Sequence, residues 1–140
     1  MAGSEVNEAR EGVAMGGFVL VVDDNADSAT IAAELLRNRG FEVEVAGNGE
    51  KALGLVERRR PDVVVLDVMM PGMDGMQVLE RLKSNPRHTH IPIILVTGRG
   101  QDEDLLAGYR FGADYYIVKP FTARQLLYAV RLVLGRESKQ

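Results

Sequence analysis

The chain contains no cysteine. Disulfides, thiolate metal sites and a cysteine nucleophile are therefore excluded together, and a reducing compartment suits it. Long apolar runs are also missing. No stretch approaches the roughly 20 residues that span a bilayer as a helix, and the N-terminus lacks a charged segment followed by an apolar one. Neither membrane insertion nor export is expected, and the cytoplasm is the default location. Positive charge is not in excess, with 17 Lys and Arg against 20 Asp and Glu, a net charge of -3 and a pI near 5.4. A surface built for nucleic-acid phosphates needs a basic face, so direct nucleic-acid binding is not expected of this domain. Low-complexity segments and solenoid-type repeats are absent too. What is present is 140 residues, 46% hydrophobic and 26% charged. That is enough for one domain with a real core and too little for two ordinary ones.

Residues 1–17 are polar, lack periodicity and close on Gly16-Gly17, and they read as a disordered leader. The ordered part begins with Phe18–Val22, an apolar run of the kind found in strands buried on both faces. Val63–Asp67 repeats that pattern, with four apolar residues ending in a carboxylate ahead of Met70-Pro71-Gly72. Phe41–Ala46 instead alternates apolar and acidic residues, which predicts a strand with one wet face near a sheet edge. Ile91–Val96 and Tyr115–Val118 supply a fourth and a fifth strand. Helical spacing fills the intervals. Ile31, Ala32, Leu35 and Leu36 precede a stop at Gly40, and Ala52, Leu55 and Val56 lie in a helix over 49–60 that Pro61 ends. Val78, Leu79 and Leu82 face inward from a helix over 76–84, broken by Asn85-Pro86. A weak helix is expected over 102–111, interrupted by Gly108 and stopped by Gly112. The last helix, 123–134, carries a single apolar stripe, and 135–140 is a polar tail. Five strands alternating with five helices, joined by short right-handed crossovers, predict an α/β fold with one parallel sheet covered on both faces.

The strand ends carry the chemistry. Strand one ends in Asp23-Asp24, strand three in Asp67, strand four in Thr97 and strand five in Lys119, and in an open parallel sheet all of these face one edge. Three carboxylates in one crevice repel unless a cation is present. A set of oxygen donors suits a hard cation, Mg²⁺ in particular, which binds through one or two carboxylates and keeps waters or substrate oxygens. Carboxylate, Mg²⁺, ammonium and hydroxyl together make a clamp for a phosphoryl group. Singly, each residue has a plainer reading: Asp23 and Asp24 as helix caps, Asp67 as a turn former, Thr97 and Lys119 as surface groups, Tyr116 as packing. Their joint placement favours a site.

These residues also carry a resemblance. Asp23-Asp24, then Asp67 with Met70-Pro71-Gly72-Met73-Asp74-Gly75 behind it, then Thr97, and Tyr116 three residues before Lys119-Pro120, resemble the receiver domain of bacterial response regulators over about Phe18 to Leu134. The resemblance implies a doubly wound, flavodoxin-like three-layer sandwich with strand order 2-1-3-4-5. It implies that Asp67 accepts a phosphoryl group from a sensor histidine kinase or phosphotransfer protein. Asp24, Asp67 and the backbone carbonyl of Met69 would ligate Mg²⁺, with Asp23 acting through water. Lys119 would pair with Asp67 or the phosphoryl group, its bond to Pro120 being cis. Thr97 would move to the phosphoryl oxygen and Tyr116 would turn inward behind it.

Met69, two positions after the acceptor, and Arg99, two after the hydroxyl, depart from the family pattern and are expected to tune the lifetime of the phosphoryl-aspartate. Arg110, Tyr116, Arg124, Tyr128 and Arg131 mark a face for a downstream protein. The chain is expected to be a monomer or a weak dimer, either a stand-alone receiver or an excised one, catalysing only its own phosphorylation and dephosphorylation. A reading of another class is a degenerate receiver acting as an unphosphorylated interaction module.

Three features compete for attention. Gly47-Asn48-Gly49-Glu50-Lys51-Ala52 fits a dinucleotide-binding pattern, with Asp67 near the distance of a ribose-binding acid. Yet the strand before it reads as an edge strand, and that function leaves Asp23, Asp24, Thr97 and Lys119 idle. His88 and His90 lie in a Pro-flanked polar loop without a third ligand and read as a solvated loop rather than a metal pair. The methionines at 69, 70, 73 and 76 read as flexible packing around a loop.

Overall fold

The computed structural model describes residues 16–98 and 112–135. Its five strands are β1 (Phe18–Val22), β2 (Glu42–Ala46), β3 (Val63–Asp67), β4 (Ile93–Thr97) and β5 (Tyr115–Val118). Among the described residues there are four helices: α1 (Ala26–Arg37), α2 (Gly49–Arg58), α3 (Gly75–Ser84) and α4 (Ala123–Val133). The strands are parallel throughout and ordered β2-β1-β3-β4-β5. This is the doubly wound flavodoxin-like order, with β2 at an edge as its alternating sequence requires. The weak helix expected over 102–111 lies outside the described residues, as do most of the leader and the tail.

The pleat divides the apolar residues of β1, β3 and β4 between two cores. Val19, Val21, Val63, Val65, Ile94 and Val96 face α1 and α4, meeting Ala29, Ala32, Ala33, Leu36, Leu126 and Val130. Leu20, Val22, Val64, Leu66, Ile93 and Leu95 face α2 and α3, meeting Ala52, Val56, Val78, Leu79 and Leu82. Each such side chain contributes roughly 1.5–3 kcal/mol on burial, so a central strand apolar on both faces is anchored from both sides. That double anchoring holds the carboxyl ends of β1, β3 and β4 in place.

Element ends differ from the sequence expectation by one to three residues, each for a local reason. β4 starts at Ile93 rather than Ile91, because Pro92 has no N–H for the ladder and contributes only its carbonyl, which accepts from Val64 at 3.0 Å. β2 starts at Glu42 because the Phe41 N–H turns back to the Leu36 carbonyl at 3.1 Å, closing α1 beyond Gly40 at φ 94°. α2 ends at Arg58, short of Pro61, as the chain turns extended at Arg59. α3 begins at Gly75, one residue early, because Asp74 and Gln77 form a reciprocal capping box. α4 ends at Val133, with Leu134 as its cap. Gly17, expected to close a disordered leader, already belongs to the fold, since its carbonyl accepts the Glu42 N–H at 2.9 Å.

His88 requires a correction. It is buried, with 7% of its surface exposed, and its Nε2 lies 3.9 Å from the Glu57 carboxylate of α2. The turn at Asn85-Pro86 folds the loop back, so that His88 donates its backbone N–H to Asn85 and accepts from Ile91. His90 is exposed.

Candidate functional site

Asp67 is the last residue of β3 and is paired in register with Val96 of β4. It is 6% exposed. One carboxylate oxygen, Oδ1, accepts the Met69 backbone N–H at 3.2 Å, and the other, Oδ2, accepts from the Lys119 ammonium at 3.2 Å. Lys119 reaches in from the loop after β5, where its own N–H donates to the Thr97 carbonyl at 2.7 Å. It also donates to Asp23 Oδ2 at 3.1 Å. One ammonium thus bridges the ends of β1 and β3, and the peptide bond from Lys119 to Pro120 is cis.

Asp23 is 7% exposed, and its Oδ1 accepts the Asn25 N–H at 2.9 Å. The capping of α1 falls to Asn25, whose side chain accepts from the Ser28 N–H. Asp24 is therefore not the cap; it lies exposed at the rim. Carboxylate oxygens of Asp23, Asp24 and Asp67 lie within 4.8 Å of one another. Among the described residues this is the group of acidic and histidine side chains placed to hold a metal ion. Its oxygen-only donors and its one open side at Asp24 fit a hard cation better than a soft one.

Electrostatics describe the same site. Burial raises the proton affinity of Asp67, Lys119 pulls it down, and the Asp23 carboxylate pushes it up again, leaving the group above the usual carboxylate range. For Lys119, burial favours the neutral amine, but the hydrogen bond to Asp23 and the charges of Asp67 and Asp23 outweigh it and hold the ammonium above its ordinary range. Among the described residues the site holds two buried carboxylates, one exposed one and a single ammonium.

Thr97 ends β4, one residue past the partner of Asp67, and is buried. Tyr116 is half-buried against the α2/α3 side of the sheet, its ring 6.2 Å from that of Tyr115. Tyr115 packs on the opposite core and meets Tyr128 edge-on at 6.3 Å. Arg124 and Tyr128 are exposed on α4 and Arg131 is partly so. Arg99 and Arg110 lie outside the described residues. Met69 is 59% exposed beside Asp67, while Met70 is buried, so only part of the methionine group serves as packing.

Two residues that shape the site were given no role of their own from the sequence. Gly75 is one: a Cβ built there would stand 2.2 Å from the Asp67 carbonyl oxygen, and its N–H donates to the Val68 carbonyl at 3.0 Å. α3 therefore starts directly against the backbone of Asp67. The Asp74-Gly75 pair at a helix start was the available signal. Asn25 is the other, recognisable as an Asn one residue ahead of a helix.

The dinucleotide-like segment is accounted for by packing. Asn48 caps α2 by accepting from the Lys51 N–H at 2.8 Å, and a Cβ at Gly49 would meet Val78 at 2.7 Å. Its glycine serves a close contact between α2 and α3.

Residues 19–131 match the family described as "Response regulator receiver domain". The chain belongs to that family. The receiver is 42% identical over 118 residues to sensory transduction protein RegX3 of Mycolicibacterium smegmatis, a match covering 84% of this chain and 50% of the relative. It is 39% identical over 122 residues to the DNA-binding response regulator MtrA of Mycobacterium tuberculosis, covering 87% and 52%. The receiver thus spans about half the length of these curated relatives. A crystal structure of a putative response regulator from Chloroflexus aurantiacus superposes with a TM-score of 0.82 at 35% identity, covering 86% of this chain and 98% of that one. The receiver is homologous to the response regulators of two-component systems, and no helix among its described residues is long and apolar enough to cross a membrane.

Proposed function

We propose that this receiver is a phosphoryl-accepting switch whose nucleophile is Asp67. The observation that carries the reading is a buried carboxylate at the end of a central strand, bonded to Lys119 and clustered with Asp23 and Asp24. In the reaction an Asp67 oxygen forms a bond to phosphorus as the P–N bond of a phosphohistidine breaks, and the departing imidazole takes a proton from water. Asp24, Asp67 and the backbone carbonyl of Met69 would hold Mg²⁺, with Asp23 acting through water, and the ion would supply charge neutralisation for the phosphoryl oxygens and relieve the repulsion among the carboxylates.

Lys119 orients the Asp67 carboxylate before transfer and pairs with a phosphoryl oxygen afterwards. Thr97 and Tyr116 form the switch, the Thr97 hydroxyl binding the new phosphoryl oxygen and Tyr116 adjusting behind it. Met69 and Arg99 set the lifetime of the phosphoryl-aspartate. The receiver turns over no separate substrate and catalyses only its own phosphorylation and dephosphorylation.

The donor is a sensor histidine kinase or a phosphotransfer protein in the cytoplasm, and the receiver works as a monomer or weak dimer. The output face comprises Tyr116 and Tyr128 with Arg110, Arg124 and Arg131. Support comes from the shallow groove of about 360 Å³ there, lined by Tyr115, Tyr116, Ile117, Val118, Gln125 and Tyr128. One relative is a DNA-binding response regulator about twice as long as the matched segment. The net acidic charge of this receiver leaves nucleic-acid contact to other parts of such a protein.

Incubation with Mg²⁺ and acetyl phosphate tests the proposal. An acid-stable, base-labile adduct is expected on the wild type and absent from Asp67→Asn. Bound Mg²⁺ with no adduct would overturn it and leave an unphosphorylated interaction module.

A further inference from the structure

Four methionines cluster behind Asp67, but they are not equivalent. Met70 is 7% exposed and belongs to the core, and Met73 and Met76 pack half-buried against it, whereas Met69 is 59% exposed. Met69 is also the one tied directly to the nucleophile, its backbone N–H donating to Asp67 Oδ1 at 3.2 Å. It lines an open cleft of about 510 Å³ with Val68, Met70, Pro71, Asp74 and Met76. The chain has no thiol to react first with an oxidant. Its softest accessible nucleophile in the described fold is therefore the Met69 thioether, next to the phosphorylation site.

We propose that Met69 is an oxidation site through which peroxide shortens the life of phosphorylated Asp67. This deepens the phosphoacceptor reading and rests on it. In the reaction the Met69 Sδ attacks one oxygen of a hydroperoxide. The O–O bond breaks, sulfur is oxidised to the sulfoxide, and the peroxide is reduced to water or an alcohol. The thioether is apolar and gathers little water. A sulfoxide oxygen is a strong hydrogen-bond acceptor, so it gathers ordered water on the residue whose backbone N–H is bonded to the carboxylate that bears the phosphoryl group. Hydrolysis of an acyl phosphate consumes one water, and the water gathered there speeds it. Met70 does not substitute, because its burial keeps peroxide from its sulfur.

The test treats the full chain with hydrogen peroxide, maps the added oxygen by peptide mass spectrometry, then loads the protein with acetyl phosphate and Mg²⁺, removes the donor and follows adduct loss. Untreated protein must form the adduct. Its failure to do so overturns the phosphoacceptor reading, while the oxidation map stands as a separate result. Expected are oxidation of Met69 well ahead of Met70, Met73 and Met76, and a fall in adduct half-life of about threefold or more. Methionine sulfoxide reductase should restore the half-life. Met69→Leu should give one half-life with and without peroxide, and Met73→Leu should keep the response. Met69 sulfoxide with an unchanged half-life, or an equal response in Met69→Leu, would overturn the proposal.

Discussion

At the scale of the residue, the site is a problem of charge. Asp67 holds its proton more tightly in the folded chain than in the unfolded one, because burial and Asp23 together outweigh Lys119. A carboxylate whose folded affinity is raised lowers stability as pH climbs through its titration, since the folded state binds more protons there than the unfolded state. Without a divalent ion, Asp67→Asn is therefore expected to be more stable than wild type at pH 7 and to melt at a higher temperature. The difference should vanish at a pH below the ordinary range of Asp. Calorimetry of both proteins across pH checks it, and equal melting temperatures at pH 7 would contradict the electrostatic account. Removing the cation acts in the opposite direction. Lys119→Met leaves Asp23 and Asp67 buried together without their shared ammonium, and is expected to lower the melting temperature and to make it far more responsive to added Mg²⁺. The carboxylates, the lysine and the threonine were all readable from strand ends. Which residue caps α1 was not, because three consecutive residues, Asp23, Asp24 and Asn25, all accept hydrogen bonds well, and only backbone geometry assigns the cap to Asn25.

At the scale of the element, helices and strands deliver these side chains by close backbone approach. The start of α3 abuts the Asp67 carbonyl, and only a residue without Cβ fits there. Gly75→Ala is expected to cost about 2–3 kcal/mol by overpacking and to slow phosphorylation beyond what that destabilisation explains, since the shift falls on the strand end bearing Asp67. Denaturant unfolding together with adduct kinetics reads both effects. The elements were legible wherever a period was strong. The alternating acidic residues of β2 located the sheet edge, and the unbroken apolar runs of β1 and β3 located its centre. Boundaries were less legible because they are decided by single hydrogen bonds, such as the capping box of Asp74 with Gln77 and the missing N–H of Pro92. His88 was misread for a related reason: its polar neighbours describe the loop, while its burial depends on α2, thirty positions earlier in the chain.

At the scale of the whole molecule, two cores lie on either side of a sheet whose carboxyl edge carries the cluster of Asp23, Asp24 and Asp67, and β5 with α4 forms a face away from β2. The Thr97 carbonyl, bonded to the Lys119 N–H, ties the end of β4 to the loop after β5, so a change at Asp67 has a short route to that face. Amide exchange is expected to change on phosphorylation in β5 and the first turns of α4 while β1 and β2 stay as they were. Change confined to the β2 side would place the output elsewhere. Chemical trapping tests most directly whether the phosphoryl group resides on Asp67. Borohydride reduces an acyl phosphate to the alcohol, so a protein loaded with acetyl phosphate and Mg²⁺, reduced and mapped by mass spectrometry, should carry homoserine at position 67 alone, and none when Mg²⁺ is omitted. Homoserine at Asp23 or Asp24, or at no position despite bound Mg²⁺, would contradict the account.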